Sequence, residues 1–192
     1  LPPLEGRLVI AHVANMTHPV KAHEDLFEAV RWLKARHPEI LVLLVGDGAR
    51  RAHLEALAGQ AGLRGQVEFL GHRGDVPAIL ARCDLGVLCS HAEGLSNAII
   101  EGMAARLPMV VTDAGGDAEL VKDGARGFVV PVRAPLALSA RLCALAEAPE
   151  LRVRMGEAGR GFVESELTVQ TLLRRHEALY LRVIEQRAGK QA

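Results

Sequence analysis

The chain has 192 residues, of which 49% are hydrophobic, and its 23 basic side chains balance its 23 acidic ones. A neutral chain without a basic stripe is a poor candidate for binding nucleic acid or an anionic membrane surface. Its longest apolar runs, such as residues 40–45, are too short to cross a bilayer, whereas its length suffices for one well-cored domain with an extra element at one end.

The N-terminal segment and the cysteines favour a cytoplasmic chain. The segment LPPLEGR has neither the charged nor the apolar region of a secretory signal. The three cysteines, Cys83, Cys89 and Cys143, are odd in number and lack CxxC spacing, which favours reduced thiols. Because the chain does not begin with Met, we expect a processed chain or an excised fragment.

Short apolar runs alternate with amphipathic segments along the first two thirds of the chain. Six runs predict strands, at Arg7–Val13, Ile40–Val45, Gln66–Leu70, Asp84–Cys89, Met109–Thr112 and Gly127–Val130. Residues at helical spacing lie between them, as at Leu26, Val30 and Leu33. This alternation predicts an α/β fold: a doubly wound, Rossmann-like parallel sheet of about six strands, with helices on both faces.

The strand pattern stops after Pro131, and apolar residues then recur at helical spacing in three segments. We therefore predict one domain, with a sheet core over about residues 7–131 and a helical tail over about residues 135–187. We expect residues 188–192 to be frayed.

The loops that follow the predicted strands are the candidate binding region. In a doubly wound sheet, ligands bind beyond the carboxyl ends of the strands, near the point where the strand order reverses. The loops in question are residues 15–21, 46–48, 71–75, 90–97 and 113–117.

One of these loops lies in the stretch SHAEGLSNAIIEGMA, in which Glu93 and Glu101 flank a small polar turn. Ser96 or Asn97 can cap a helix that begins there, and its first amides lack intrahelical partners and attract a phosphate. Carboxylates repel phosphate but accept strong hydrogen bonds from hydroxyl groups. The pattern therefore predicts a ligand with a central phosphate group and a hydroxylated ring on each side, as in a nucleoside diphosphate sugar. Two ordinary surface glutamates are the alternative.

Several longer motifs follow one another along almost the whole chain. They are VANMTHPVKAHEDLFEA, LLVGDGARRAHLE, VEFLGHRGDVPAILARCDLGVLCS, EGLSNAIIEGMAARLPMVVTDAGGDAELV, GARGFVVP and LRVRMGEAGRGFV. In this order they resemble the C-terminal, donor-binding domain of retaining glycosyltransferases of the GT-B fold, in the family numbered four. The glutamate pair with seven intervening residues is the hallmark of that family.

The resemblance implies a role for individual residues. Glu101 would bind the ribose hydroxyls of a UDP- or GDP-linked sugar, whereas Glu93 would face the transferred sugar and Lys21 would neutralise the diphosphate. Glu93 and Lys21 are thus the implied catalytic residues. The other implied binding residues are Asn15, then Gly71, His72 and Arg73 beside the nucleobase, and Gly94, Leu95, Ser96 and Asn97 around the diphosphate.

Two positions depart from the family pattern. Asn15 stands where the family often has an arginine, so the amide supplies a hydrogen bond but no second cation. Ala22 stands where a glycine usually follows the lysine, which we interpret as a mild change.

The resemblance covers one of the two Rossmann-like domains of a GT-B enzyme. It implies that the other, N-terminal domain binds the acceptor, and that the isolated chain binds donor weakly and transfers essentially no sugar. Residues 168–187 resemble a terminal helix that packs toward that domain, so an exposed apolar face here could cause self-association. Any peripheral membrane contact would be made through the missing domain. A role in cell-envelope or exopolysaccharide synthesis is also implied.

Other functions remain open at this stage. A nucleotide-sugar epimerase of the same architecture, or a non-catalytic nucleotide-binding module, would share the sheet and the phosphate site. NAD binding is disfavoured because Arg51 occupies the third glycine position after Gly46-Asp47-Gly48. Neither an HExxH motif nor a Cys/His ligand spacing occurs, so we predict no metal and no cofactor. Asp113 and Asp117 are interpreted as turn residues or as groups near the sugar.

Overall fold

A computed structural model describes residues 1–188, and its centre is a parallel sheet with the strand order β3-β2-β1-β4-β5-β6. The strands are β1 (Leu8–Val13), β2 (Ile40–Val45), β3 (Val67–Gly71), β4 (Leu85–Leu88), β5 (Met109–Thr112) and β6 (Gly127–Val130). The predicted fold class is confirmed, and each strand lies within one residue of its predicted bounds. We expected residues 188–192 to be frayed, and of these, residues 189–192 lie outside the described range.

The helices fill the connections between strands and then form the C-terminal part. They are α1 (His23–Arg36), α2 (Arg51–Gln60), α3 (Val76–Leu80), α4 (Asn97–Ala104), α5 (Asp117–Val121), α6 (Pro135–Glu147), α7 (Pro149–Glu166) and α8 (Val169–Ala188). A single 3-10 turn, Pro19–Lys21, precedes α1. The turn and α5 were not predicted. Three residues are too few to show a helical period, and the two glycines before α5 favoured a turn. No helix in the described part of the chain is both long and apolar enough to span a membrane.

The sheet is covered on both faces. All six residues of β2 are buried, as an uninterrupted apolar run in a central parallel strand requires. Alternate residues of β2, such as Val42 and Leu44, pack with α1, α2 and α6, whereas Leu41 and Leu43 pack with Ile79 of α3. Helix α3 contacts α4, and α4 in turn contacts α5.

The chain forms two compact units, Leu1–Arg160 and the part from Gly161 onward. The first contains the sheet, α1 to α6 and most of α7. In the second, α8 begins after Thr168, whose hydroxyl accepts a hydrogen bond from the Thr171 amide at 3.1 Å. The expected apolar side chains of α8 are exposed; Leu173, Tyr180 and Ile184 are each 63% exposed.

Two of the three glycines in helix α7 have contrasting surroundings. Gly156 is buried, and a Cβ added there would lie 2.1 Å from the backbone oxygen of Arg106. At Gly161, on the same helix, a Cβ would meet nothing within 4 Å. The first glycine is therefore required by close packing, whereas the second only weakens the helix.

We expect the two glycine-to-alanine changes in α7 to have opposite signs. Gly156→Ala should destabilise the protein by about 1–3 kcal/mol, because backbone must move to admit the methyl group. Gly161→Ala should stabilise it by up to about 1 kcal/mol, the ordinary gain in helix propensity. Urea-unfolding midpoints measure both values, and an equal change in the two variants would contradict the close contact at Gly156.

Candidate functional site

The candidate site lies at the carboxyl edge of the sheet, where the strand order reverses between β1 and β4. The implied catalytic and binding residues all lie at this edge: Lys21 ends the 3-10 turn, Gly71 ends β3, and the others fall in loops or in α4. A cleft of about 350 Å³ brings together Asn15, His72, Arg73 and Glu101. These residues follow or flank three different strands, so only the fold makes them neighbours.

Asp47 lines the same cleft and was given no role from the sequence, although its loop was a candidate. The Gly48 amide donates to its carboxylate at 2.7 Å, and Arg51 adds an ion pair at 3.2 Å. Both contacts lower the pKa of Asp47, so it is ionised at neutral pH. The flanking glycine Gly48 allows close approach, because a Cβ there would lie 2.4 Å from the carbonyl carbon of Met16.

Lys21 and Glu93 form an ion pair between the loops after β1 and β4. Their side chains are 18% and 13% exposed, so the pair is largely shielded from water. Ser90 Oγ donates to the same oxygen of Glu93, Oε1, at 2.9 Å. The two residues with implied catalytic roles are thus in direct contact, and the second oxygen of Glu93 makes neither of these bonds.

The loop that carries Glu93 is fastened on both sides. Toward β1, the His91 amide donates to the Val20 carbonyl oxygen at 2.8 Å. Toward β5, the Ser90 amide donates to Thr112 Oγ1 at 2.8 Å, and that hydroxyl donates to the Ser90 carbonyl oxygen at 2.7 Å. These contacts hold the loop between its neighbours independently of any ligand.

Two glycines after β5 allow the next loop to lie against Glu93. The Gly116 amide donates to the carbonyl oxygen of Gly94 at 2.8 Å. A Cβ on Gly115 would lie 2.1 Å from the carbonyl oxygen of Glu93, and one on Gly116 would lie 2.3 Å from that of Gly94. Any larger residue in this pair would separate the two loops.

Helix α4 begins at Asn97, and Ser96, one of the two residues predicted to cap it, occupies the N-cap position. Ser96 is extended, but its hydroxyl does not cap the helix, and no acidic residue occupies the first turn. The helix N-terminus therefore keeps its positive character and has no side-chain cap. Glu101 lies in the second turn with an exposed side chain, and Leu95 before the helix is 55% exposed.

The residues that the resemblance places beside a nucleobase, Gly71, His72 and Arg73, differ in their local surroundings. Gly71 is buried and left-handed, with φ of 69°, and a Cβ there would lie 2.8 Å from the Arg51 guanidinium. The Arg73 side chain pairs with both oxygens of Asp75, at 2.8 and 2.7 Å. The Asp75 carboxylate therefore does not cap α3, although Asp75 occupies the N-cap position.

Asp117 begins α5 and is completely buried, although its sequence position suggested an ordinary turn. Among the described residues, neither of its carboxylate oxygens has a hydrogen-bond partner. Burial raises the pKa of Asp117 to about 6, and the charge of Glu93 adds to the rise. The Ser96 amide and Lys21 oppose it, although the amide is not aligned for an ordinary hydrogen bond. An acid that titrates near neutrality thus lies beside the start of α4.

Two fully buried histidines lie beneath the loop after β1. The rings of His12 and His23 meet edge to face, with their centroids 5.0 Å apart. Burial lowers the pKa of His12 to about 3 and that of His23 to about 4, and Lys21 contributes to both shifts. Both rings are therefore neutral at pH 7. No sequence pattern indicates this pair, because His12 lies on β1 and His23 begins α1.

Alanine at position 22 has a larger effect on the backbone than the mild change that we expected. Its φ and ψ are 43° and 40°, a left-handed conformation that links the 3-10 turn to α1. Glycine adopts this conformation without penalty, whereas alanine pays a steric cost of about 1–2 kcal/mol. The backbone that positions Lys21 is therefore strained by this substitution.

Comparison with known proteins identifies the relatives of this arrangement. The profile described as "Glycosyl transferases group 1" matches residues 2–162. The alpha-D-kanosaminyltransferase of Streptomyces kanamyceticus is 33% identical over 156 residues, which are 80% of this chain and 40% of that protein. The chain spans less than half the length of the first curated relatives that it matches.

Solved structures show the same fold. Anabaena Alr3699/HepE, in complex with UDP-glucose, superposes with a TM-score of 0.84 at 26% identity, over 92% of this chain and 50% of that one. The C-terminal domain of LpcC, a glycosyl transferase group 1 family protein from Francisella tularensis, gives a TM-score of 0.76 at 23% identity. It covers 84% of this chain and 86% of the LpcC domain, and supports the fold alone.

We expect stability to fall as the pH drops from about 6.5 toward 4. The unfolded chain binds protons at His12 and His23 near pH 6.5, whereas the folded chain resists protonation until about pH 3 and 4. Each histidine should remove about 2 kcal/mol between pH 7 and pH 5. Asp117 acts in the opposite direction, because its raised pKa favours proton uptake by the folded chain.

The His23→Leu variant isolates one of these contributions. Urea unfolding at pH 7 and pH 5 should show a fall in unfolding free energy about 2 kcal/mol smaller than in the parent. Asp117 is present in both proteins and cancels in the comparison. An identical fall in parent and variant would show that His23 is accessible to protons in the folded chain.

Proposed function

Because the chain belongs to the group 1 glycosyl transferases, we propose that it binds the donor for an enzyme that transfers a sugar from a nucleoside diphosphate sugar, linked to UDP or GDP. The observation that carries this proposal is the juxtaposition at the sheet edge. Along the chain, the uncapped start of α4 lies between Glu93, which pairs with Lys21, and Glu101, which lines the cleft. The UDP-glucose bound to the relative HepE supports the same ligand class.

In this proposal the diphosphate lies over the first amides of α4, where the helix dipole and unpaired N–H groups favour an anion. Lys21 contributes a side-chain cation, whereas Asn15, at the earlier position where the family often has arginine, supplies no charge. As the glycosidic bond breaks, negative charge grows on the departing diphosphate. Lys21 and the amides would stabilise that charge without a metal ion.

The two glutamates would hold the rings at either end of the diphosphate. Glu101 faces the cleft that also contains His72 and Arg73, so the nucleoside would occupy that side with its ribose hydroxyls donating to Glu101. Glu93 would face the transferred sugar at the other end of the diphosphate. Its contact with Lys21 supports a position of that sugar next to the diphosphate. Retention of configuration is the stereochemistry that we propose for the complete enzyme.

We further propose that an acceptor-binding domain, preceding this one in the complete enzyme, supplies the other wall of the active site. The chain spans under half the length of its curated relatives, and the exposed apolar side chains of α8 offer a surface for that domain. The isolated chain would then bind donor but transfer essentially no sugar. The three free cysteines suit a reducing compartment, so we propose a cytoplasmic location. A polysaccharide is the product class that we propose.

Donor binding should depend on the cleft glutamate more than on the lysine. Calorimetric titration with UDP, GDP and their sugar conjugates should reveal binding of one nucleotide. Glu101→Ala should weaken it by about tenfold to a hundredfold, the value of a charge-assisted hydrogen bond. Lys21→Ala should weaken it by about tenfold through loss of a phosphate contact.

Glu68→Ala is the matched control, because Glu68 is an exposed glutamate on β3 outside the cleft. It should leave the affinity unchanged. Equal losses in Glu68→Ala and Glu101→Ala would indicate a general charge effect and contradict the ribose contact. Tight binding of NAD in place of the sugar nucleotides would reject the proposed function.

Asp117 should make UDP binding sensitive to pH. Its buried carboxylate lies beside the Ser96 amide and repels a diphosphate when ionised, and its pKa of about 6 places the change near neutrality. Asp117→Asn should therefore bind UDP about tenfold more tightly than the parent at pH 8, with the two affinities converging at pH 5.5. Asp113→Asn, an exposed change in the same loop, is the control. A comparable gain in that control would contradict a specific role for Asp117.

A further inference from the structure

A cluster of three metal-ligating side chains lies away from the donor site, where α1 and α6 end. His37 is the C-cap residue of α1, and Glu147 is the last residue of α6. Cys143 is four residues before Glu147, so both side chains lie on one face of α6. His37 and Cys143 are 106 positions apart in the sequence, which explains why ligand spacing gave no signal.

The distances within this cluster match a coordination site. Cys143 Sγ lies 3.6 Å from His37 Nε2 and 3.3 Å from Glu147 Oε1, and the latter two atoms are 3.5 Å apart. A tetrahedral zinc ion with bonds of about 2.0–2.3 Å separates its ligand atoms by about 3.4–3.6 Å. We propose that His37, Cys143 and Glu147 bind Zn²⁺, with water as the fourth ligand.

The ligand chemistry favours zinc over the common hard cations. A thiolate, an imidazole and a carboxylate form a set that zinc prefers, whereas Ca²⁺ and Mg²⁺ require six or more ligands that are mainly oxygens. The thiolate and the carboxylate together neutralise the dication. The C-terminal ends of α1 and α6 also meet here, and the negative ends of their dipoles favour a cation.

The surroundings of His37 provide the outer support that zinc sites usually have. Its other ring nitrogen, Nδ1, lies 3.3 Å from Glu39 Oε1. When Nε2 binds the metal, Nδ1 carries the proton and donates a hydrogen bond to this carboxylate, which fixes the orientation of the ring.

Access to the cluster is open on the side of Glu147, whose side chain is 46% exposed, whereas Cys143 is 7% exposed. Arg36 contacts Glu147 at 2.6 Å, but it is 67% exposed and can turn into solvent when the metal enters. The Cys143 thiol then exchanges its proton for the metal: the S–H bond breaks, an S–Zn bond forms, and the proton leaves to water. The bound ion would tie the end of α1 to the end of α6.

Cobalt is the probe that tests this site. We expect the reduced, tag-free chain to bind one Co²⁺ per molecule, with a thiolate-to-cobalt absorption band and the strong visible bands of tetrahedral geometry. Added Zn²⁺ should displace it. At a hundredfold excess of Zn²⁺ over its Kd, the Tm should rise by roughly 5–10 °C.

The variants assign the ligands. Cys143→Ser and His37→Gln should each abolish the thiolate band while leaving the far-ultraviolet circular dichroism unchanged. Cys83→Ser, which changes a thiol near the Ile79 carbonyl oxygen, should keep the band. If Cys143→Ser does not fold, Glu147→Gln on the exposed side should still weaken Co²⁺ binding at least tenfold. Absence of a thiolate band in the parent, its survival in Cys143→Ser, or its loss in Cys83→Ser would overturn the proposal.

Discussion

The candidate site depends on one topological constraint, the reversal of strand order between β1 and β4. Neighbouring strands on either side of the reversal send their following loops in opposite directions, which leaves a crevice between them. The loop after β4 is then held by hydrogen bonds to the loop after β1, to Thr112 of β5 and to the loop after β5. The last of these contacts needs Gly115 and Gly116, because a Cβ at either position would occupy the space of a carbonyl oxygen. The geometry of the site is thus set by main-chain packing before any ligand arrives.

The charged side chains at the candidate site do not neutralise one another. Two carboxylates, Glu93 and Asp117, lie near one ammonium group, Lys21, in a region with little water. Desolvation offsets much of the attraction in such a pair, so Lys21–Glu93 adds little to stability and mainly fixes two side chains. On the proposed function, an arriving diphosphate attracts Lys21 and frees one lone pair of Glu93. That carboxylate can then accept a hydrogen bond from a sugar hydroxyl. The ion pair thus holds both side chains in position before the donor binds, and donor binding separates them.

The sequence was sufficient for the strands and for the loops that follow them, because buried parallel strands are continuous apolar runs. It left the start of α4 open between Ser96 and Asn97, and the N-cap position falls at Ser96 without a side-chain cap. It could not show that Asp117 is buried, since an aspartate after two glycines is more often an exposed turn residue. The left-handed backbone at Ala22 was missed for a similar reason: an alanine gives no indication of a positive φ. His12 and His23 belong to separate elements, and their contact exists only after α1 packs on the sheet. The properties that could not be predicted are those that arise from tertiary contacts.

Helix α1 runs from the candidate donor site to the proposed zinc site, and its length keeps the two sites apart. It begins directly after Lys21 and Ala22 and ends before His37, and its 14 residues span about 21 Å. A zinc ion at His37 therefore cannot touch a donor near Lys21. It could alter donor binding only if α1 had two positions against α6 that zinc and donor favoured unequally. Helix α1 packs against α6 through fully buried side chains such as Leu33 and Leu142, and such close-packed contacts favour a single position. The proposed zinc ion is therefore best understood as a contribution to the stability of the α1–α6 contact, separate from the chemistry at the sheet edge.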